Sequence, residues 1–175
     1  MSSNEEILAL FENWYALEMP RLYRYVMYRV RDQAAAEELT AAICEEALRY
    51  LHRYEPQRGG LSGWMYGIAR NTLKEFFRAK ARRPASVSLD SLHSLRAPGH
   101  SPEHAVELIE VFRQAVRGLR RLPDQEQEVV ALRYGAELSN QEIAELMGLN
   151  PNHVGVLLHR ALKKLRQAMQ AEERA

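Results

Sequence analysis

The sequence predicts an all-α protein of two small helical domains joined by a linker. Apolar residues recur at helical spacing along almost all of its 175 residues, and no run alternates in the manner of a β-strand. This pattern stops only over residues 84–102, which are rich in Ser and Pro. We therefore expect one domain over residues 1–83, a linker over 84–102 and a second domain over 103–175.

Helix boundaries follow from the ends of each apolar stripe and from the prolines and glycines between them. In the N-terminal domain we expect helices over residues 4–17, 20–31, 33–54 and 61–82. Pro56 and the pair Gly59 and Gly60 predict the loop before the fourth of these. In the C-terminal domain we expect helices over residues 103–121, 124–135, 139–147 and 151–171.

Composition restricts the class of protein. Hydrophobic residues make up 46% of the chain, which excludes disorder throughout, and the formal net charge is only +1. A nucleic-acid surface would therefore be a local patch, and residues 70–83 form one, with six Lys and Arg side chains and a single Glu. No apolar run approaches a membrane span, and the N-terminus lacks the features of a signal peptide.

Cysteine and histidine usage argues against other functions. Cys44 is the single cysteine, so no internal disulfide is possible and a reducing cytoplasm is the expected location. The six His show no metal-ligand spacing, and there is no phosphate-binding Gly loop. We expect no catalytic residue, no metal and no cofactor, and an enzyme is the remote hypothesis.

Residues 139–166 have the spacing of a helix-turn-helix. A capping box begins the first helix, a small residue allows the two helices to cross closely, and a glycine accommodates the turn. The residues that supply these caps and the turn are Ser139, Glu142, Ala144, Gly148, Asn150 and Pro151. An ordinary helical hairpin with a solvated basic face is the alternative.

The second of these helices has two faces. Its apolar face, which we expect to lie in a core, contains Val154, Leu158, Ala161, Leu162, Leu165 and Met169. Its outward face is mostly polar and cationic, which suits the phosphates and base edges of duplex DNA. The candidate DNA contacts on it are Asn152, His153, Val156, His159, Arg160, Lys163 and Lys164.

Residues 54–83 form a second candidate site. After the loop, an apolar helix face lies opposite Arg70, Asn71, Lys74 and Arg78, and Trp64 lies near the beginning of the helix. Cations follow a nucleic-acid backbone, an amide hydrogen-bonds a base edge, and an unpaired base enters a pocket or stacks. This helix therefore suits single-stranded DNA. The alternative is that the aromatic residues, Trp64 included, belong to the core.

Together these motifs resemble the small extracytoplasmic-function (ECF) sigma factors of bacterial RNA polymerase. The pattern Y-x-P-x-R-G-x-L-x-x-W-(x)3-I-A-R-N, at residues 54–71, resembles the family's segment that melts and reads the minus-ten promoter element. Leu122 and Pro123, followed by EQEVVALRY, NQEIAELMGL and VGVLLHRALKKLR, resemble the domain that reads the minus-thirty-five element. The resemblance covers nearly the whole chain. It implies that core RNA polymerase and promoter DNA are partners, and it leaves an anti-sigma factor open.

The resemblance also implies roles for particular residues. The minus-ten contacts would be Arg58, Trp64, Arg70, Asn71, Lys74 and Arg78. The helix over 33–54 would dock on the polymerase clamp through Glu38, Ala41, Ala42, Glu45 and Arg49. The family usually has Gln and an acidic residue where the two alanines stand, which implies weaker or shifted docking contacts.

Two further departures concern the core and base preference. Cys44 stands where the family commonly has a large apolar residue, which favours a core role over a redox one. Gly155 and Leu157 stand where small sigma factors often place Lys, Ser or Arg, so the base preference is open. A stand-alone helix-turn-helix regulator of duplex DNA is the alternative function, but it leaves the segment at 54–71 without a purpose.

Overall fold

A computed structural model describes residues 3–82 and 117–174, and every regular element in these ranges is a helix. The N-terminal bundle consists of α1 (Ser3–Val30), α2 (Gln33–Tyr50) and α3 (Leu61–Arg82). Within the described residues, the C-terminal bundle consists of helical residues 117–120, α4 (Asp124–Val130), α5 (Asn140–Met147) and α6 (Pro151–Glu173). The all-α prediction is confirmed. The linker predicted over 84–102 and most of the helix predicted over 103–121 lie outside the described residues.

α1 is one helix where the sequence predicts two. Pro20 lies inside it, although an interior proline removes a backbone hydrogen bond and costs roughly 3 kcal/mol. Side chains on both sides of this proline are buried, Phe11 and Trp14 before it and Leu22 and Tyr25 after it. Burial of both segments in one core offsets the cost, so the predicted break between residues 17 and 20 is wrong.

α2 begins at a side-chain cap and is shorter than predicted. The Asp32 carboxylate accepts a hydrogen bond from the Ala35 N–H at 2.8 Å. The helix ends at Tyr50 and is followed by two 3-10 turns, Leu51–Arg53 and Pro56–Arg58. A proline disfavours the helical conformation of the residue before it, and Glu55, which precedes Pro56, has an extended backbone. The prediction that the α-helix continues to residue 54 is therefore wrong: the residues after Tyr50 form a tighter 3-10 turn.

The helix-turn-helix prediction is confirmed by its caps and its turn. The Ser139 hydroxyl accepts a hydrogen bond from the Glu142 N–H, and the Glu142 carboxylate accepts one from the Ser139 N–H at 2.8 Å. Gly148 ends α5 with φ 66°, in the left-handed region where glycine is favoured. Ala144 is buried beneath α6, and Asn150 caps α6 by accepting from the Asn152 N–H at 2.8 Å.

The two bundles pack together and share one continuous core. α4 widens into a π-helical turn, Ala131–Gly135, and this turn lies against α1. At Gly135 the approach is so close that a Cβ atom would lie 2.8 Å from the Cα of Tyr25. The predicted helix over 124–135 is thus present, and its last turn forms the contact between the bundles.

Candidate nucleic-acid interface

The loop before α3 forms one wall of a cleft. The Tyr54 hydroxyl donates to the Gly59 carbonyl at 3.1 Å, and the Tyr54 ring lies 5.5 Å from the Trp64 ring. Gly59 has φ 154°, a backbone conformation that favours glycine. Trp64 is only partly buried: it packs against the core and also lines the cleft, so the expectation that it is a core residue is correct in part.

The cleft has a volume of about 610 Å³ and lies between the two bundles. One wall carries the aromatic pair, three glycines and the cations Arg53 and Arg58. The opposite wall belongs to the C-terminal bundle and consists of Leu138, Glu142, Glu145 and Leu146. A nucleic-acid strand that entered this cleft would therefore meet two carboxylates.

The cationic face of α3 is divided by the structure. Asn71, Lys74 and Arg78 are exposed, as a surface for DNA requires. Arg70, which the sequence groups with them, is turned toward the C-terminal bundle: its side chain is 18% exposed, pairs with Glu128 at 3.1 Å and donates to the Leu146 carbonyl at 2.6 Å. Arg58 stays on the surface, where it pairs with Glu55 at 2.8 Å.

The outward face of α6 is open to solvent. The seven predicted contacts are all exposed, namely Asn152, His153, Val156, His159, Arg160, Lys163 and Lys164. Lys164 differs from the other cations because its ammonium pairs with the buried Glu126 at 2.8 Å. Part of its charge is therefore already compensated within the bundle.

The apolar face of α6 departs from the predicted one at two positions. Leu162, expected in the core, is 38% exposed, whereas Leu157 is buried. Val154, Leu158 and Ala161 are buried as predicted, because this side of the helix packs against α4 and α5. Leu157 therefore belongs to the core, and its apolar character says nothing about base preference.

The face of α2 predicted to meet the polymerase is also exposed. Its members are Glu38, Ala41, Ala42, Glu45 and Arg49. Leu48, which is 50% exposed, adds an apolar side chain to this helix surface. Cys44 lies on the buried side among core residues, and burial raises the pKa of its thiol, which confirms its core position and disfavours the thiolate.

Sequence reasoning missed a cluster of ionic contacts between the bundles. Arg29, 5% exposed, pairs with Asp124 at 2.7 Å and with Glu128 at 2.9 Å. The Tyr25 hydroxyl donates to Glu128 at 2.7 Å. Arg21 pairs with Glu137 at 3.0 Å, and Arg24 pairs with the same carboxylate. A sequence signal existed in the four arginines of residues 21–31 and in the acidic run DQEQE at 124–128.

The electrostatic environment of this cluster is reflected in two pKa shifts. Burial raises the pKa of Tyr25 well above its usual value, and the neighbouring Glu128 charge adds to the increase. Burial lowers the pKa of Arg31 to about 10, with further contributions from the charges of Arg29 and Arg120. Cations are thus concentrated where α1 meets the C-terminal bundle.

The described residues contain no grouping of His, Cys, Asp and Glu that could hold a metal ion. Over the same ranges, none of the helices has the length and apolar character needed to cross a membrane.

Comparison with known proteins identifies both bundles. Residues 14–83 match sigma-70 region 2, and residues 112–165 match sigma-70 region 4. The chain is 32% identical over 155 residues to the ECF RNA polymerase sigma factor BldN of Streptomyces coelicolor, covering 87% of this chain and 58% of BldN. It is 30% identical over 132 residues to the ECF RNA polymerase sigma factor ShbA of Streptomyces griseus, covering 74% of this chain and 69% of ShbA.

The fold agrees with these sequence matches. The sigma factor RpoE in complex with the anti-sigma factor NepR, from Bartonella quintana, superposes with a TM-score of 0.69 at 18% identity. The match covers 91% of this chain and 96% of RpoE. The chain belongs to the ECF sigma factors of the sigma-70 family, the transcription initiation factors that direct RNA polymerase to promoters. A stand-alone helix-turn-helix regulator would account for region 4 only.

Proposed function

We propose that this chain uses three separate surfaces to start transcription. The exposed face of α2 binds the clamp of core RNA polymerase. The outward face of α6 binds the duplex of the minus-thirty-five element. The loop at 54–60 and the cationic face of α3 hold the separated strand of the minus-ten element.

The observation that supports this proposal is the presence of two chemically different, exposed cationic faces in one chain. The α6 face projects polar and cationic side chains from one side of a helix whose other side is buried, as major-groove recognition requires. The α3 face adjoins a cleft with one aromatic wall, which suits an unpaired base. A regulator that only bound duplex DNA would need the first face alone.

Promoter opening is favoured by contacts that form only after the strands separate, because these contacts stabilise the open state alone. Extracting a base costs a few kcal/mol in lost stacking and pairing. Asn71, Lys74 and Arg78 are exposed on α3 and offer an amide and two cations to the extracted strand. No covalent step belongs to this chain, because the polymerase transfers the nucleotides, and the protein acts in the cytoplasm, where transcription occurs.

We also propose that an anti-sigma factor is among its partners. The RpoE structure that shares this fold was solved with its anti-sigma factor NepR. In the present chain the two bundles are held against each other by ion pairs. A partner that bound both bundles would stabilise this closed arrangement and keep the chain from the polymerase.

The test is transcription with purified core polymerase on a promoter library, with and without the chain. We expect promoter-specific transcripts that depend on both components. Specific binding of duplex DNA without any chain-dependent transcript would reject the polymerase-subunit function and support a stand-alone regulator.

A further inference from the structure

The outward face of α6 carries one apolar side chain among polar ones. Val156 is 44% exposed, whereas Val154 and Leu158, two positions before and after it, are buried. Residues two positions apart in an α-helix point to nearly opposite sides, because one turn takes 3.6 residues. Val156 therefore points away from the core of the C-terminal bundle and into solvent.

The surface neighbours of Val156 are all polar. On a helix the neighbouring side chains are those three and four residues away. Asn152 lies four residues before Val156, and His159 and Arg160 lie three and four residues after it, all of them exposed. Each of these three side chains offers hydrogen-bonding groups. Val156 offers none, so it contributes to recognition only through an apolar contact.

The position of Val156 along α6 places it over bases rather than phosphates. In a helix-turn-helix the residues near the beginning of the second helix contact the base edges in the major groove. α6 begins at Pro151, and Asn150 caps this end by accepting from the Asn152 N–H at 2.8 Å. Val156 lies in the second turn from this cap, between polar side chains on the same face. When this face enters the major groove, Val156 meets the edges of the base pairs.

The chemistry of the major groove restricts what an apolar side chain can meet there. The base edges present hydrogen-bond donors and acceptors, and thymine adds the C5 methyl group. A donor or acceptor covered by the Val156 methyl groups would lose water without gaining a partner, which is unfavourable. A thymine methyl group covered in the same way is removed from water, which is favourable. Valine is also stiff at χ1, so little freedom is lost when the contact forms.

We propose that Val156 is a specificity-determining residue that contacts the C5 methyl group of one thymine in the duplex element. This inference rests on the proposed function, since it assumes that the outward face of α6 binds duplex DNA. It adds a base preference that the proposed phosphate contacts of Arg160 and Lys163 do not supply, because phosphates are the same at every base pair. The thymine belongs to either strand of the element.

The test compares thymine with uracil, which differs from it only by the missing C5 methyl group. The intact chain first selects its preferred element from a pool of random duplexes. Each thymine of the selected element, on both strands, is then replaced in turn by uracil. Binding of the labelled duplexes is measured by fluorescence anisotropy at one salt concentration, because the phosphate contacts depend on salt.

Two variants remove the methyl groups of Val156, namely Val156→Ala and Val156→Ser, and two others serve as controls. Leu162→Ala shortens another exposed apolar side chain of α6, which is 38% exposed and adjoins the buried Ala161. Arg160→Ala removes a cation from the same face as Val156. Circular dichroism reports the helicity of all four variants. Because Val156 is exposed, its two substitutions should leave the fold intact, and either of them alone decides the outcome.

We expect uracil at one position to weaken binding of the unaltered chain about three- to fivefold, as the loss of one buried methyl group implies. Leu162→Ala should show the same loss. Arg160→Ala should bind both duplexes more weakly but keep the ratio between them, as a phosphate contact does. Val156→Ala and Val156→Ser should bind the thymine and uracil duplexes equally.

Three results would overturn the inference. They are a selected element without thymine, equal binding of all uracil duplexes by the unaltered chain, and a uracil effect that persists in both Val156 variants. A pool that yields no common element would overturn it as well, since α6 would then recognise no bases. None of these measurements needs polymerase, so an absence of promoter-specific transcripts rejects the proposed function separately.

Discussion

The two candidate DNA faces differ in how accessible they are in the free chain. On α6 every predicted contact is exposed, and Lys164 alone among its three Lys and Arg contacts has a described ion-pair partner, Glu126. On α3 Arg70 is sequestered by Glu128, and the neighbouring cleft is closed on one side by α5. The difference teaches that the cations of the proposed duplex face are open to solvent, whereas one cation of the proposed single-strand face, Arg70, is engaged by a carboxylate of the other bundle.

This contrast has a physical reason. Duplex DNA presents its phosphates without rearrangement, so a permanently open face binds it at once. A single strand exists at a promoter only after the duplex has opened. The α3 face, if it holds the separated strand as proposed, is therefore needed only at that later stage.

The largest expected effect is the loss of strand opening when the α3 face is altered. Asn71→Ala, and separately the double variant Lys74→Ala with Arg78→Ala, should reduce opening about tenfold or more, because each removes contacts worth about 1–3 kcal/mol in the open state. Permanganate reactivity of unpaired thymines in the minus-ten region measures this directly.

Two controls separate opening from earlier steps. Glu75→Gln changes an exposed side chain of the same helix and should keep normal opening. Binding of core polymerase and of the minus-thirty-five duplex should be unchanged in all of these variants. Normal permanganate reactivity in both α3 variants would contradict the assignment of this face.

A second effect concerns the polymerase-facing helix. Reversing two charges with Glu38→Lys and Glu45→Lys should lower the affinity for core enzyme several-fold, while the free energy of unfolding changes little because both side chains are exposed. A pull-down with core polymerase gives the affinity, and urea unfolding gives the stability. Retention of core enzyme equal to that of a Glu12→Lys control would remove α2 from the docking surface.

A smaller effect is expected on α6, where single phosphate contacts are at stake. Arg160→Ala and Lys163→Ala should each weaken duplex binding and reduce the slope of log affinity against log salt by about one unit. Lys164→Ala should change the slope less, because Glu126 already pairs with it. Equal slopes for the unaltered chain and for the Arg160 and Lys163 variants would show that DNA lies elsewhere.

Local signals in the sequence were sufficient for much of the fold. The capping box at Ser139 and the glycine at residue 148 determine backbone geometry within a few residues, so the helix-turn-helix was predicted correctly. The break expected near Pro20 failed because burial on both sides of the proline is a property of the whole bundle. On α6, Leu162 was expected in the core but is exposed, and Leu157, at a position expected to face DNA, is buried. The buried face of this helix depends on how α4 and α5 pack against it, which the local sequence does not determine.

The contact between the bundles leaves a charge pattern in the sequence but no signal that identifies the charged residues as partners. Arg29 and Glu128 are separated by 99 residues along the chain, and neither has a local partner that marks it as buried. The four arginines of residues 21–31 and the acidic run at 124–128 are visible in the sequence, but charged segments of this kind are usually solvated surfaces. The domain boundaries and the individual DNA and polymerase contacts stay predictions until they are measured.

The smallest expected effect is on stability, when the carboxylate in the capping box of α5 is removed and the contact between the bundles is left intact. Hydrogen bonding to Ser139 lowers the pKa of Glu142 below its ordinary value of 4.5. The larger contribution comes from the Ser139 backbone and the smaller one from its side chain. A lowered pKa means that the stabilisation is present above the ordinary value and is lost as the pH falls through the folded-state pKa.

Glu142→Gln should therefore destabilise the chain at neutral pH by less than about 1 kcal/mol, since water screens this exposed carboxylate. The free energies of unfolding of the two chains should converge in acid, as measured by urea unfolding from about pH 7 to about pH 3. The radius of gyration should stay that of the closed chain. A constant difference in stability across this range would show that the cap does not depend on the carboxylate charge.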